Sequence, residues 1–354
     1  MSFKVVGLDV SKGSKGYTRI KVAELLDGGE LSIPVHVVNG AENGPVLGLF
    51  AGIHGSEYYQ NRVIRKIVLE TDPNTLKGTI LAVPVANPPA FAQAMRQTPK
   101  PPEETVDFAN LNRVFPGKRV TPLFGSLEEH DVSLTMRMAS TITDNVLTRC
   151  SHVIDFHGQM IGMSLKKMLF NLDEQSKAMA LTFGLGILHD PPESVAPPRK
   201  VNAHMTEYGA VLGIPSIVPE LGGGGHGESY EGECERICVQ GTRNVMAHLG
   251  LIKGKSVKPE RQFYFKHAPH VRALHAGYMV SNMQAEDVGV GKPTRDVTKG
   301  EVLATIYNPY SLAEVEQIKA PCDGLLYACR VSGLVEPQNE VAAVADYRDS
   351  KWIE

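Results

Sequence analysis

Apolar positions in roughly the first 250 residues fall into short runs separated by stretches of helical period. "GPVLGLFAG", "GTILAVPVAN", "SHVIDFHG", "KMLFNL" and "IPSIVPE" are nearly continuous apolar runs bounded by Gly, Pro or polar residues. Such runs mark strands buried on both faces. "YTRIKV" and "LSIPVHVV" alternate instead, which predicts an antiparallel hairpin at the entry. Helices are predicted from about Glu57 to Thr71, Leu127 to Thr148, Asp173 to Phe183, Ala203 to Leu212 and Glu231 to Leu249. In the second, Val132, Met136, Ala139, Thr143 and Val146 follow a spacing of three to four, an apolar stripe broken only by the threonine. The alternation predicts an α/β fold, a mixed sheet flanked by helices.

Two stretches break the pattern. Gln93 to Pro116, "QAMRQTPKPPEETVDFANLNRVFP", has no clear period and carries Pro99, Pro101 and Pro102. A loop of that length inside a compact domain is usually functional or mobile. After "GLIKGKSVKPERQ" the chain shows short β-like runs, frequent Gly and Pro, and no helical pattern of useful length. This places a boundary near Lys255, with a catalytic domain over residues 1–255 and a β-rich C-terminal domain over 256–354. "VTKGEVLATIYNP" and "EQIKAPCDGLLYACRVSGLVEPQNEVAAVAD" resemble the two halves of a biotinyl/lipoyl-like β-sandwich. Carriers of that kind hold a Lys at the hairpin tip before "APxxG". The tip here, "NPYSLAEVEQ", has none, so no swinging cofactor arm is expected.

Totals narrow the class. With 354 residues, 42 % apolar and 21 % charged, the chain suits a globular protein of about two domains. A net charge of −3 gives no basic excess, so neither nucleic acid nor an anionic membrane is an expected partner. No apolar run approaches the roughly 20 residues that span a bilayer. The start, "MSFKVVGLDVSKGSKG", lacks the features of a signal peptide. The five cysteines are scattered, which fits reduced thiols and a cytoplasmic location. Cys234 and Cys238 lie close together in a helical stretch with no second Cys or His pair nearby, and read as packing residues.

Candidate chemistry sits where strands end. His54 and Glu57 fall in the turn after "VLGLFAG", and at i and i+3 both side chains can face one side. His157 closes "HVIDFHG", with Asp155 two residues earlier on the same strand face, able to orient an imidazole. Glu220 ends "IPSIVPE" before a run of four glycines. Two His, one carboxylate and an open position make a catalytic zinc site, and a further carboxylate serves as general base. Each residue also has an ordinary reading: a turn histidine, an acid favoured at a helix N-terminus by the dipole, a strand-end histidine, a plain glycine loop. Spacing does not choose between these, because the third ligand lies far downstream.

"AGIHGSE", "ANLNRVFPG", "DFHG" and "VPELGGGG", in this order, resemble the succinylglutamate desuccinylase/aspartoacylase family, a branch of the zinc carboxypeptidase-like fold. The resemblance covers roughly Pro45 to Leu251, and a β-type C-terminal region is also usual in the family. It implies one Zn2+ per chain held by His54, Glu57 and His157, with Glu220 as base and proton shuttle. It implies Asn112 and Arg113 as holders of the substrate carboxylate, and Arg96 as the group that polarises the scissile carbonyl. For Arg96 the ordinary alternative is a solvated arginine, because the interval from it to Asn112 is long. The expected activity is amide hydrolysis that removes a short acyl group, acetyl or succinyl, from a small N-acyl amino acid. A metallocarboxypeptidase and a non-catalytic binding protein of the same fold are the alternatives. A β-rich appendage of this kind also often serves assembly into a homo-oligomer.

Overall fold

The two alternating segments near the start pair as expected: β1 (Ser14–Glu24) and β2 (Glu30–Asn39) run antiparallel in this computed structural model. Residues 2–25, 27–99, 109–118, 132–190, 198–288 and 294–354 are described. The apolar runs supply β3 (Glu42–Phe50), β4 (Lys77–Val83), β5 (His152–Asp155), β6 (His157–Gln159), β7 (Met163–Phe170), β8 (Ile187–His189) and β9 (Ser216–Gly223). Together they form one mixed sheet in the order β1–β2–β4–β3–β5–β9–β7. Strand β3 lies between β4 and β5 and is parallel to both. Strand β9 is parallel to β5 and antiparallel to β7.

Layers on both faces explain why these runs are apolar throughout. Leu47 and Leu49 of β3 pack beneath α1 (Asn61–Glu70) with Val63, Ile64 and Ile67, and Phe50 joins a second cluster on the other face with Met138, Ala139 and Ile142 of α2 (Leu134–Asn145). Further helices are α3 (Glu174–Phe183), α4 (Met205–Val211) and α5 (Glu228–His248), besides a single short turn of helix over Pro88–Ala92. Ser133 caps α2 by accepting from Met136 N, and Asp173 caps α3 by accepting from Ser176 N. The expected start of the second helix, Leu127, lies outside the described residues.

Strand β9 departs from its predicted end. It continues through Glu220 to Gly223, with a register shift between those residues where it pairs with β6. Glycine permits this close approach, since a Cβ on Gly223 would lie 1.6 Å from the Met163 carbonyl oxygen. Glu220 therefore sits inside a strand and not at its end.

Past the linker come β10 (Gln262–Phe265), β11 (His270–Arg272), β12 (Gly277–Ser281), β13 (Val302–Tyr307), β14 (Glu314–Lys319), β15 (Gly324–Arg330), β16 (Ser332–Val335), β17 (Glu340–Asp346) and β18 (Ser350–Ile353). Strands β14–β13–β12–β16 make a separate antiparallel sheet. The others extend the central one: β15 runs antiparallel beside β7, and β10 runs parallel beside β8.

His189 stands at that junction. Its ring stacks on Phe265 at 4.6 Å and its Nε2 donates to the Lys266 carbonyl at 3.3 Å, while buried Nδ1 has no partner among the described residues. Burial, aided by nearby Lys167, pushes its pKa down to about 4 from 6.5. Between those values the unfolded chain binds a proton that the folded chain refuses, so stability present above pH 6.5 is lost as pH falls toward 4. His189→Gln, which keeps the donor, is expected to reduce the stability lost between pH 7 and 4.5 by about 2 kcal/mol. Urea midpoints at the two pH values check this.

Candidate functional site

Strands β3 and β5 are neighbours and parallel, so the turns leaving their carboxyl ends meet. Gly52, at φ +67°, turns the chain out of β3 into the segment that carries His54 and Glu57. His157 opens β6 directly after β5. The result is a buried triplet: His54, Glu57 and His157 are 3 %, 2 % and 4 % exposed, and their candidate ligand atoms all lie within 4.8 Å of one another. His54 Nδ1 faces Glu57 Oε1 at 2.9 Å and His157 Nδ1 faces Glu57 Oε2 at 3.0 Å. Glu57 Oε2 also accepts the Gly158 N–H at 3.1 Å, and Arg96 Nη1 donates to Oε1 at 2.9 Å. Glu57 stands at the N-terminal cap position of the short helical turn that follows but makes no side-chain hydrogen bond to it.

The far nitrogens settle which way the imidazoles present their lone pairs. Asn110 Oδ1 lies 3.1 Å from His54 Nε2 and also receives the Asn112 main-chain N–H at 3.0 Å. A main-chain N–H only donates, so that atom is the amide oxygen and His54 Nε2 carries the proton. Burial lowers the His54 pKa, only partly opposed by Glu57, and keeps the ring neutral. Its Nδ1 lone pair then faces a carboxylate oxygen at 2.9 Å. Two acceptors so placed repel unless a cation lies between them. His157 Nε2 faces Asp155 Oδ2 at 3.0 Å, the partner expected from the sequence. Burial disfavours a charge on His157, but the Asp155 and Glu57 carboxylates outweigh it and raise its pKa; the Nδ1 proton they stabilise is the one a divalent ion displaces. The donor set, its burial and its lone pairs fit such an ion.

The seven residues expected to hold the metal, act on the substrate or bind it line one cavity of about 570 Å3: His54, Glu57, Arg96, Asn112, Arg113, His157 and Glu220. Asn112 and Arg113 belong to a short turn over Leu111–Arg113. Asn112 Oδ1 accepts the Met205 main-chain N–H at 2.9 Å, which fixes the amide so that Nδ2 points toward His157 Nε2, 3.5 Å away. Both of those nitrogens are donors, so Nδ2 stays open to an incoming acceptor. Arg113 makes no ion pair among the described residues; burial, with Arg96 and Arg199 nearby, lowers its pKa. Glu220 lies opposite His157 on one side and Lys167 on the other, and its carboxylate has no hydrogen bond or ion pair among the described residues. Among the described residues, a carboxylate without a hydrogen bond or ion pair and a guanidinium without an ion pair thus line the same space.

Other cavity residues carried no signal strong enough to find them. Arg199 and Glu207 form a bidentate pair at its wall, and His204, whose pKa burial and Arg113 push down to about 4, stands beside them. His204 reads from sequence as a residue of a helix, not as a wall of the site. His226 stands elsewhere, donating to the Met163 carbonyl at 3.0 Å and edge-on to Tyr230.

A buried His–Glu–His group able to hold a cation lines one cavity with a further carboxylate at the carboxyl edge of a helix-covered mixed sheet, the arrangement of an enzyme active site rather than of a structural core. Residues 43–249 match the family model described as succinylglutamate desuccinylase/aspartoacylase catalytic domain. The chain belongs to that family, and it is an enzyme of the amide-hydrolysing kind. It is 27 % identical over 337 residues to the N-alpha-acetyl-L-2,4-diaminobutyric acid deacetylase of Halomonas elongata, covering 91 % of this chain and 88 % of that one. Its fold resembles a succinylglutamate desuccinylase/aspartoacylase from Rhodobacter sphaeroides, with TM-score 0.74, 22 % identity, and 94 % and 95 % of the two chains covered. It also resembles the product-bound ectoine utilization protein EutE (DoeB) from Ruegeria pomeroyi, with TM-score 0.73, 22 % identity and the same coverage.

Removing the acceptor behind His157 tests the geometry. Asp155→Ala is expected to weaken divalent-cation binding about ten- to a hundredfold. Competition with a chromophoric chelator measures it, and an unchanged affinity contradicts the orienting role.

Proposed function

We propose that the protein is a zinc-dependent deacylase that removes a short acyl group from an N-acyl amino acid, with acetyl the leading choice. The observation that carries the reading is the pairing, in one cavity, of a buried His–Glu–His group able to hold a cation with the carboxylate of Glu220, which has no partner among the described residues. His54, Glu57 and His157 would hold the metal. Zinc bound there supplies Lewis acidity and makes hydroxide available near neutral pH. Glu220 takes the proton of the attacking water and delivers it to the leaving amine. Arg113 binds the substrate carboxylate through its planar fork, and Asn112 adds the open Nδ2 donor. Arg96, which donates to Glu57 of the triplet, would donate to the carbonyl oxygen as charge develops on it. The acetyl choice follows the Halomonas elongata relative, whose name specifies an acetyl substrate.

We also read residues 1–255 as the catalytic domain and 256–354 as a C-terminal domain of biotinyl/lipoyl-like form. A separate apolar cluster of C-terminal residues, including Met279, Leu303, Ile306, Ile318 and Val344, supports that division.

A panel of N-acetyl and N-succinyl amino acids and dipeptides, assayed with zinc present, tests the function. Turnover of N-acetyl amino acids is expected, and hydrolysis of dipeptides alone replaces the deacylase reading by a carboxypeptidase. Glu220→Gln is expected to lower kcat by about a hundredfold or more while zinc content stays at that of the unchanged protein. Normal turnover by this variant removes Glu220 from the mechanism.

A further inference from the structure

One wall of the cavity takes no part in the chemistry proposed above. Val218 of β9 and Leu169 of β7 stand directly opposite each other in the antiparallel register, and Val218 shares a strand face with Glu220, two residues on. Both line the cavity, together with Ala210 of α4 and Leu172 just past the end of β7. Leu169 and Ala210 are partly exposed and Leu172 is 59 % exposed, so apolar surface is left open beside the carboxylate of Glu220. Such surface favours an apolar group over water. We propose that Leu169, Leu172, Val218 and Ala210 form a side-chain subsite that selects N-acyl amino acids with one carboxylate and an uncharged, apolar side chain.

The attachment of α4 decides which part of the substrate reaches this wall. Met205, its first residue, donates its main-chain N–H to Asn112 Oδ1 at 2.9 Å, so the helix bearing Ala210 adjoins the turn assigned to the substrate carboxylate. An amino acid carries its carboxylate, amine and side chain on one carbon. With the carboxylate at Asn112 and Arg113 and the acylated amine at the triplet and Glu220, the side chain is left to the wall between β9 and α4. Charge narrows it further. Three arginines line the cavity among the described residues: Arg96 pairs with Glu57, and Arg199 with Glu207, whose two oxygens accept guanidinium N–H groups at 2.9–3.1 Å. Arg113 has the one substrate carboxylate to hold. A second carboxylate, as in an aspartate or glutamate side chain, meets no open guanidinium among them. A cationic side chain fares no better. Glu207 is saturated by Arg199 and by the main-chain N–H of His204, Glu57 belongs to the triplet, and Glu220 acts on the amine.

The subsite rests on the deacylase reading given above. Its test compares kcat/KM, per bound zinc, for leucine, methionine, alanine, aspartate and 2,4-diaminobutyrate, each acetylated on its α-amine. The leucine and methionine derivatives are expected to exceed those of aspartate and diaminobutyrate by about tenfold or more. Ala210→Leu fills the subsite and is expected to lower the leucine-to-alanine ratio about tenfold. Leu172→Lys, at an exposed position, puts an ammonium at the rim and is expected to raise the aspartate-to-leucine ratio about tenfold. This second variant carries the test if Ala210→Leu does not fold. A preference of the unchanged protein for the aspartate or the diaminobutyrate derivative overturns the proposal. So does a leucine-to-alanine ratio that Ala210→Leu leaves unmoved, or an aspartate-to-leucine ratio that Leu172→Lys leaves unmoved. Absence of turnover across the whole panel is a separate result, which overturns the deacylase reading itself.

Discussion

A single buried carboxylate organises this molecule's functional end. Glu57 is almost fully removed from water, and an isolated charge there would be costly. The flanking groups make it tolerable: the Gly158 N–H, the Arg96 guanidinium and two imidazoles converge on its two oxygens. Burial alone would raise its pKa, but the two histidines outweigh burial and lower it, keeping the group ionised. Because these partners come from three stretches of chain, the carboxylate ties the turn after β3, the segment carrying Arg96 and strand β6 to one point.

A second tier of contacts then fixes orientation. Asp155 and Asn110 hold the outer nitrogens of the two histidines, leaving both inner nitrogens aimed at Glu57. Met205 holds the Asn112 amide so that its donor end stays open. Polar groups whose hydrogen bonds are assigned in this way do not rotate freely, and their preorganisation is what a site acting on a small polar substrate requires. Glu220 has no hydrogen bond or ion pair among the described residues, and Arg113, whose Nη1 donates to the Asn112 carbonyl, lines the same cavity without an ion pair among them.

Much of this was legible in the linear pattern. The apolar runs of β3, β4, β5 and β9 announced strands covered on both faces, and four short motifs marked the turns where chemistry collects. Other features were not. Asn110 sits two positions before Asn112, but nothing in its spacing shows that its oxygen reaches a histidine 56 residues away. His204 and the Arg199–Glu207 pair looked like helix and loop residues until α4 packed against the cavity. The extension of β9 past Glu220 was hidden because a glycine run usually signals a loop. Here the glycines let two backbones approach more closely than any side chain allows.

The sequence by itself determined which segments are strands and helices, which turns carry imidazoles and carboxylates, and which family the motifs resemble. These depend on local period and residue type, and both are written along the chain. Tertiary structure alone decided that His157 meets His54 and Glu57, which lone pairs point inward, and that the C-terminal strands β10 and β15 join the central sheet. Those outcomes depend on strand order and hydrogen-bond direction, which follow from how distant segments pack and leave no periodic trace in the residues themselves.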